Sequence, residues 1–146
     1  MMSRDPQRFG RTVEDWDELL AQATDFLKEQ AKRGRLTSYS EVNWAIARRS
    51  GLPAFDFELD RDRDAMGIIL GDISRENLSE CGAMLSAIVV YIDRNDAGAG
   101  FYKLAQLLRL LPTDATTDQK LAFWAGQVKT VHEYYGRPRR RRRREA

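Results

Sequence analysis

The ten residues AMLSAIVVYI, at positions 83–92, are apolar apart from Ser86 and rich in β-branched side chains. A run that is apolar on both of its alternating faces is typical of a β-strand that is covered on both sides. Ten residues are too few to span a bilayer, so the run predicts a buried core segment and not a membrane helix. We therefore expect one central strand over residues 83–92.

Apolar residues at helical spacing flank this run on both sides. They predict helices at about 13–33, from Ser38 to about 50, and at about 61–79, 104–111 and 118–135. Thr12 is placed to cap the first helix, and Ser38 with Glu41 matches the capping-box pattern of the second. Gly67 and Gly71, four residues apart, predict a shallow groove on the third helix. The expected fold is mainly α with a small β element (α+β), in which helices cover one central strand or hairpin.

The charge is distributed unevenly along the 146 residues, whose formal net charge is +2. Residues 137–146 contain seven arginines and one glutamate and therefore carry +6, which leaves −4 for residues 1–136. This division predicts a flexible N-terminus at 1–11, a single globular domain at 12–136 and a disordered arginine-rich tail at 137–146.

The arginine-rich tail is the strongest functional signal in the sequence. Its cations are Arg137, Arg139, Arg140, Arg141, Arg142, Arg143 and Arg144. Guanidinium groups bind phosphates in a bidentate manner, and each contact releases condensed counterions, so the run predicts salt-dependent binding of nucleic acid (DNA or RNA) with little sequence preference. The tail has two alternative interpretations: it binds an acidic protein surface, or it is a dispensable terminus.

The order helix, helix, strand, glycine turn resembles a winged-helix domain, and more narrowly the C-terminal domain of alkylguanine-DNA alkyltransferases and alkyltransferase-like proteins. The resemblance covers about residues 36–108. The matching segments are Thr37-Ser38-Tyr39-Ser40-Glu41-Val42 for the family's Thr-Tyr-Gly-Glu-Leu-Ala helix start, Met66-Gly67 for its Val-Gly recognition helix, and 84–90 with Gly98–Gly100 for its Pro-Cys-His-Arg-Val-Val strand and glycine turn. The resemblance implies a winged-helix-like body.

The chain departs from this family at the residues that carry the chemistry. Leu85 stands where the family has its reactive cysteine, and Ser86 and Ala87 stand at its histidine and arginine. Cys81 lies four residues too early to replace the nucleophile. Asp64, with Arg63 beside it, falls about where the family has its extrahelical arginine. The resemblance therefore implies the scaffold without alkyl transfer.

The third helix is a weak candidate for reading bases in a DNA groove. Residues 61–80 carry three arginines against five acidic residues, a net charge of −2, which opposes the approach of phosphates. Arg63, Arg75 and Asn77 are the side chains on this helix that we expect to contact nucleic acid.

No catalytic constellation is visible in the sequence. Cys81 is the only cysteine and His132 the only histidine, so neither a disulfide within the chain nor a cysteine-rich or histidine-rich metal site is expected. We predict no enzymatic activity, no cofactor and no metal. A single cysteine and the lack of a signal-peptide pattern predict a cytoplasmic location. Because the sequence has no apolar run of membrane-spanning length, we expect no membrane partner.

Two classes of function remain open at this stage. The first is a non-enzymatic nucleic-acid-binding accessory protein that uses its arginine-rich tail. The second is a protein-interaction module, such as an inhibitor or adaptor of a bacterial or phage complex, whose acidic body recognises a protein partner. Phe55 and Phe57, in the acidic connector PAFDFELD, are the candidate protein-binding residues for that second function.

Overall fold

A computed structural model describes residues 7–91 and 97–136 of the chain. The arginine-rich tail, at 137–146, lies outside the described residues, as do 1–6 and 92–96. Within the described ranges the elements are β1 (Gln7–Arg8), β2 (Arg11–Thr12), α1 (Val13–Lys32), β3 (Thr37–Ser38), α2 (Tyr39–Ser50), α3 (Asp60–Cys81), a 3₁₀ helix (Leu85–Ile88), β4 (Val89–Val90), α4 (Ala99–Leu107) and α5 (Thr117–Gly136). The fold is mainly α with a small β element, as the sequence predicts.

The predicted ten-residue central strand is wrong in its conformation. Leu85–Ile88 form a 3₁₀ helix, and the strand that follows it consists of Val89 and Val90. The reason is that side chains on helices, and not neighbouring strands, bond to the backbone of Met84, Ser86 and Ala87. These bonds run from the Met84 N–H to Gln127 Oε1 (2.8 Å), from the Ser86 N–H to Ser74 Oγ (3.1 Å) and from Trp124 Nε1 to the Ala87 carbonyl (2.8 Å).

Residues 83–90 are nevertheless buried, as predicted, whereas Tyr91 is 42% exposed and Ile92 lies outside the described residues. Its residues divide between two apolar clusters. Leu85, Ile88 and Val89 belong to the main core between α1, α2 and α3. Met84 and Ala87 belong to a second cluster with α4. The central segment therefore joins the two parts of the core, although only its end is a strand.

The short strand β4 pairs in parallel with β3, with Thr37 opposite Val89 and Ser38 opposite Val90. Parallel neighbours need a crossover connection, and here α2 and α3 provide it. Ser38 is also the N-cap of α2, where its Oγ accepts a hydrogen bond from the Glu41 N–H at 3.1 Å. The sheet therefore fixes the start of α2 against the central segment.

Residues 7–11, expected in a flexible N-terminus, form the hairpin β1–β2 and pack on the body. Phe9 stacks on Trp16, with ring centroids 5.6 Å apart. Arg11 donates to the Pro53 carbonyl at 2.8 Å, and its guanidinium lies 4.2 Å from the centre of the Phe55 ring. The expectation of a loose segment is therefore wrong for these residues, because aromatic and cation–π contacts hold them.

The fourth helix also lies earlier than predicted. α4 covers Ala99–Leu107, not 104–111, and it buries Phe101 and Tyr102. Arg109 has a φ of +63°, a left-handed conformation that ends the helix, and the Leu110 N–H returns to the Ala105 carbonyl at 2.9 Å.

Candidate functional site

The C-terminal ends of α1 and α5 lie side by side. A Cβ built on Gly136 would lie 3.7 Å from the Lys32 carbonyl oxygen. His132 donates its Nε2–H to the Arg35 carbonyl at 2.9 Å, which ties α5 to the turn that follows α1. The arginine-rich tail begins at the next residue in the sequence, 137, which lies outside the described residues.

Three exposed cations surround this point: Lys32, Arg33 and Arg35, which we call the basic end. In the part of the chain that the structure describes, no carboxylate lies within ion-pair distance of any of them. Cations at a helix C-terminus are also favoured by the helix dipole, which is consistent with their position at the end of α1. The basic end is therefore a cationic surface that adjoins the start of the tail.

A polar network of α1, α3 and α5 side chains fixes the helix ends in this arrangement. The Tyr135 hydroxyl donates to Glu80 Oε1 at 3.0 Å, and Lys28 Nζ lies 3.3 Å from the same oxygen. Burial, together with the nearby Glu80 carboxylate, raises the pKa of Tyr135 above its ordinary value. The phenol therefore remains protonated and keeps donating to Glu80 at neutral pH.

Asn77, expected to contact nucleic acid, belongs to the same network and is only 4% exposed. Its Nδ2 donates to the Tyr135 hydroxyl, and its Oδ1 accepts from Cys81 Sγ at 3.4 Å. The expectation is wrong for this residue, because both ends of its amide are engaged inside the protein. The sequence of α3 alone does not show that α5 covers this position.

Arg63 and Arg75, the other two candidates on α3, are about half exposed, at 51% each. Each pairs with an acidic neighbour: Arg63 bonds to Asp60 and the Phe57 carbonyl, and Arg75 Nη1 lies 3.7 Å from Asp72 Oδ1. Twelve residues of helix separate them, a distance of about 18 Å along its axis. Neither is brought next to the basic end by any contact that the structure records.

Phe55 and Phe57 do not form an exposed aromatic pair. Phe55 is 4% exposed, and its backbone N–H and carbonyl both bond to the Asn43 side-chain amide, at 2.9 and 2.8 Å. Phe57 is partly buried. The buried Asp62 accepts from the Asp56 N–H at 2.7 Å, so this connector is held firmly. Phe55 is therefore a core residue, and its assignment to a partner surface is wrong, whereas for the partly buried Phe57 that assignment stays a prediction.

Cys81 has the properties of a packed side chain. Its thiol lies 3.4 Å from both Asn77 Oδ1 and the Ala83 carbonyl, and burial raises its pKa. A raised pKa lowers the thiolate fraction, which is the nucleophilic form. Within residues 7–91 and 97–136, no group of three or more His, Cys, Asp or Glu side chains is arranged to hold a metal ion.

Comparison with known proteins adds no family to this description. No protein-family model matches the chain, and neither the curated proteins nor the solved structures include a significant match. The resemblance to alkyltransferase domains therefore stays a prediction from the sequence. Among the described residues, none of the helices is both long enough and apolar enough to cross a membrane.

The sequence alone does not assign a function to the basic end. Lys32 and Arg33 look like ordinary helix-terminating charges, and Arg35 like a loop residue. The available signal was the density of cations, three in the four residues 32–35, without an acidic residue among them. Their position beside residue 136 depends on the packing of helices that lie about a hundred residues apart in the chain.

Proposed function

We propose that this protein binds nucleic acid without catalysing a reaction, and that the arginine-rich tail and the basic end form one continuous cationic surface. The observation that carries the proposal is the contact between Gly136 and the end of α1. Residue 137, the first arginine of the tail, follows Gly136 directly in the sequence, and Gly136 lies beside the helix end that carries Lys32, Arg33 and Arg35.

The charge distribution supports a restricted interface. Residues 1–136 carry −4, so most of the body repels phosphates, while the tail and the basic end attract them. α3 does not supply the main interface in this proposal, since its net charge is −2 over residues 61–80 and Asn77 is buried. The winged-helix-like body then orients the tail and does not itself read bases.

The proposal predicts strong salt dependence and weak sequence dependence. If the tail contacts about five phosphates of duplex DNA, the slope of log affinity against log salt concentration is about −4 to −5. Fluorescence anisotropy with a short labelled duplex, repeated over a series of salt concentrations, measures this slope. A scrambled duplex of the same composition tests whether sequence matters.

The decisive variants change the tail without touching the described domain. Replacing Arg139–Arg144 with glutamines should remove nearly all binding, whereas replacing them with lysines should keep most of the slope because the charge is unchanged. A chain ending at Gly136 should behave like the glutamine variant and keep a similar thermal midpoint. Tight, sequence-specific binding by that shortened chain would contradict the proposal, and no binding by the full chain at low salt would favour a protein partner.

A further inference from the structure

A groove runs along α3 on the face that carries Arg63, Gly67, Gly71 and Arg75. These residues are four apart and therefore lie in one row on the helix surface. The two glycines leave the floor of the groove without side chains, and a Cβ at Gly67 would meet no atom within 4 Å. The groove expected from the glycine spacing is present in the structure.

The wider part of this groove is a cavity of about 450 Å³. Aromatic and apolar side chains dominate its walls, chiefly Tyr39, Phe57, Met66 and Tyr91. A volume of this size is within the range of sites for small organic ligands, which is about 300–1,000 Å³. A smaller cavity of about 160 Å³ adjoins it at Tyr39 and Gly67 and continues toward Arg75.

The charge of the lining differs from that of the body. Among the described residues that line the two cavities, the charged ones are Arg63 and Arg75, and no acidic side chain is included. Arg63 bonds to Asp60 and the Phe57 carbonyl, yet a guanidinium has five N–H donors, so donors remain for a ligand at the mouth. Both arginines have an acidic partner outside the lining, Asp60 for Arg63 and Asp72 for Arg75, so the donors of Arg63 that remain free are the groups that would hold an anion.

The aromatic wall is built tightly. The Tyr39 and Tyr91 rings lie 5.0 Å apart, and a Cβ at Gly98 would come within 2.8 Å of the Tyr91 ring and 3.0 Å of the Tyr39 hydroxyl. Only glycine leaves room for both rings at this position. The backbone of Gly98 also hydrogen-bonds to Tyr39. The tyrosine pair is therefore held in place before any ligand arrives, which lowers the entropic cost of binding.

We propose that this groove is a binding site for a small aromatic anion, whose ring lies against Tyr39 and Tyr91 and whose acidic group contacts Arg63. The flat walls match an aromatic ring, and the guanidinium matches a carboxylate, sulfonate or phosphate. The site is separate from the basic end and does not depend on nucleic-acid binding by the tail.

The probe for this site is 1-anilinonaphthalene-8-sulfonate, an aromatic anion whose fluorescence rises in apolar surroundings. We expect one molecule to bind in the groove of the full chain. Gly67→Leu fills the cavity and should weaken binding at least tenfold. Gly126→Leu is the matched control, because Gly126 is a helical glycine of α5 whose Cβ would also meet open space. It should bind the probe like the unaltered protein.

The sulfonate contact is tested by Arg63→Gln together with the uncharged analogue N-phenyl-1-naphthylamine. A lost charge-assisted hydrogen bond should weaken binding of the sulfonate about tenfold and leave the neutral compound unaffected. The variant with glutamines at Arg139–Arg144 should still bind the probe, which separates the groove from binding of the sulfonate to the tail.

Several outcomes would overturn the proposal: no binding of the probe, equal binding by Gly67→Leu and Gly126→Leu, or loss of binding when the tail arginines are removed. If Gly67→Leu fails to fold by circular dichroism, Tyr91→Ala removes one wall at a half-exposed position and replaces it in the test. Unchanged affinity in Tyr91→Ala and Arg63→Gln would then exclude the groove.

Discussion

The hydroxyl oxygens of Ser74 and Ser86 lie 2.7 Å apart inside the protein. Ser74 Oγ donates to Ser86 Oγ and also accepts from the Ser86 N–H at 3.1 Å. Ser74 is completely buried and Ser86 nearly so. This pair fastens the central segment to α3 at the one polar residue of its apolar run.

Removing one member of this pair should be costly. Ser74→Ala leaves the buried Ser86 N–H and hydroxyl without their partner, and an unsatisfied buried group costs about 1–3 kcal/mol. We expect a loss of this size in the free energy of unfolding, measured by urea denaturation. Ser79→Ala, at an exposed serine of the same helix, is the control and should change stability much less. Equal effects of the two substitutions would contradict this account.

The Ser74–Ser86 pair also explains why the central strand was predicted wrongly. The pattern of apolar residues correctly indicates that residues 83–90 are buried. It carries no information about which groups accept its backbone hydrogen bonds. Those partners are Ser74, Gln127 and Trp124, which are 12 to 43 residues away in sequence. The strand propensity of the run is therefore overridden by tertiary contacts.

Local signals were reliable where the physics is local. Thr12 caps α1, and Gly51 and Gly82 end α2 and α3 with φ values of +76° and +79°. The surroundings of the candidate functional residues depend instead on contacts that are distant in sequence. The sequence of α3 does not show that Asn77 is buried against α5, and the sequence around 32–35 does not show that Gly136 lies beside it.

The N-cap of α2 gives a second prediction. Ser38 Oγ accepts from the Glu41 N–H, whereas the Glu41 carboxylate accepts from Thr37 Oγ1 at 2.7 Å. Ser38→Ala should lower the free energy of unfolding by about 1 kcal/mol, the usual cost of losing an N-cap. Ser40→Ala, at the exposed position two residues along the helix, should have a smaller effect. If chemical denaturation gives both variants the same stability, the cap is not the source of the loss.

Val89 gives the strongest prediction about the core. It is 1% exposed and lies opposite Thr37 in the small sheet. Val89→Asp places a carboxylate without a counter-charge in the apolar core and should prevent folding. Leu107→Asp introduces the same charge at a residue that is 68% exposed and should leave a folded, soluble protein. A cooperative thermal transition in Val89→Asp would show that this segment is not central to the fold.

The raised pKa of Cys81 predicts slow thiol chemistry. Because burial favours the neutral thiol, less thiolate is present at a given pH than in the unfolded chain, so iodoacetamide should react more slowly with the folded protein. The raised pKa also makes the stability of the protein depend on pH. The contribution of the Cys81 thiol to the free energy of unfolding is present below the pKa of the unfolded state and is lost as the pH rises through the pKa of the folded state. Rapid labelling at neutral pH would contradict the burial of the thiol, whereas alkyl transfer from modified DNA to Cys81, seen by intact mass, would contradict the non-enzymatic proposal.

The last prediction concerns the contribution of the basic end to nucleic-acid binding. Lys32, Arg33 and Arg35 are exposed and adjoin the residue from which the tail begins. If all three contact phosphates together with the tail, replacing them with glutamines should make the salt slope shallower by up to about 2.7, since each duplex contact contributes about −0.9. Binding should weaken without becoming sequence-dependent.

The control must remove equal charge at a distance from the tail. Lys103, Arg109 and Lys120 suit this purpose. Lys120 lies sixteen residues before Gly136 on α5, about 24 Å along the helix axis. Lys103 and Gln106 line one cavity with Lys120, and the Arg109 N–H donates to the Gln106 carbonyl at 3.0 Å. Replacing these three with glutamines changes the net charge equally, yet should alter the slope much less because they lie farther than the basic end from Gly136, after which the tail begins. Equal losses in the two triple variants would mean that net charge alone governs affinity. A loss confined to the first variant would support one continuous surface formed by α1, α5 and the tail.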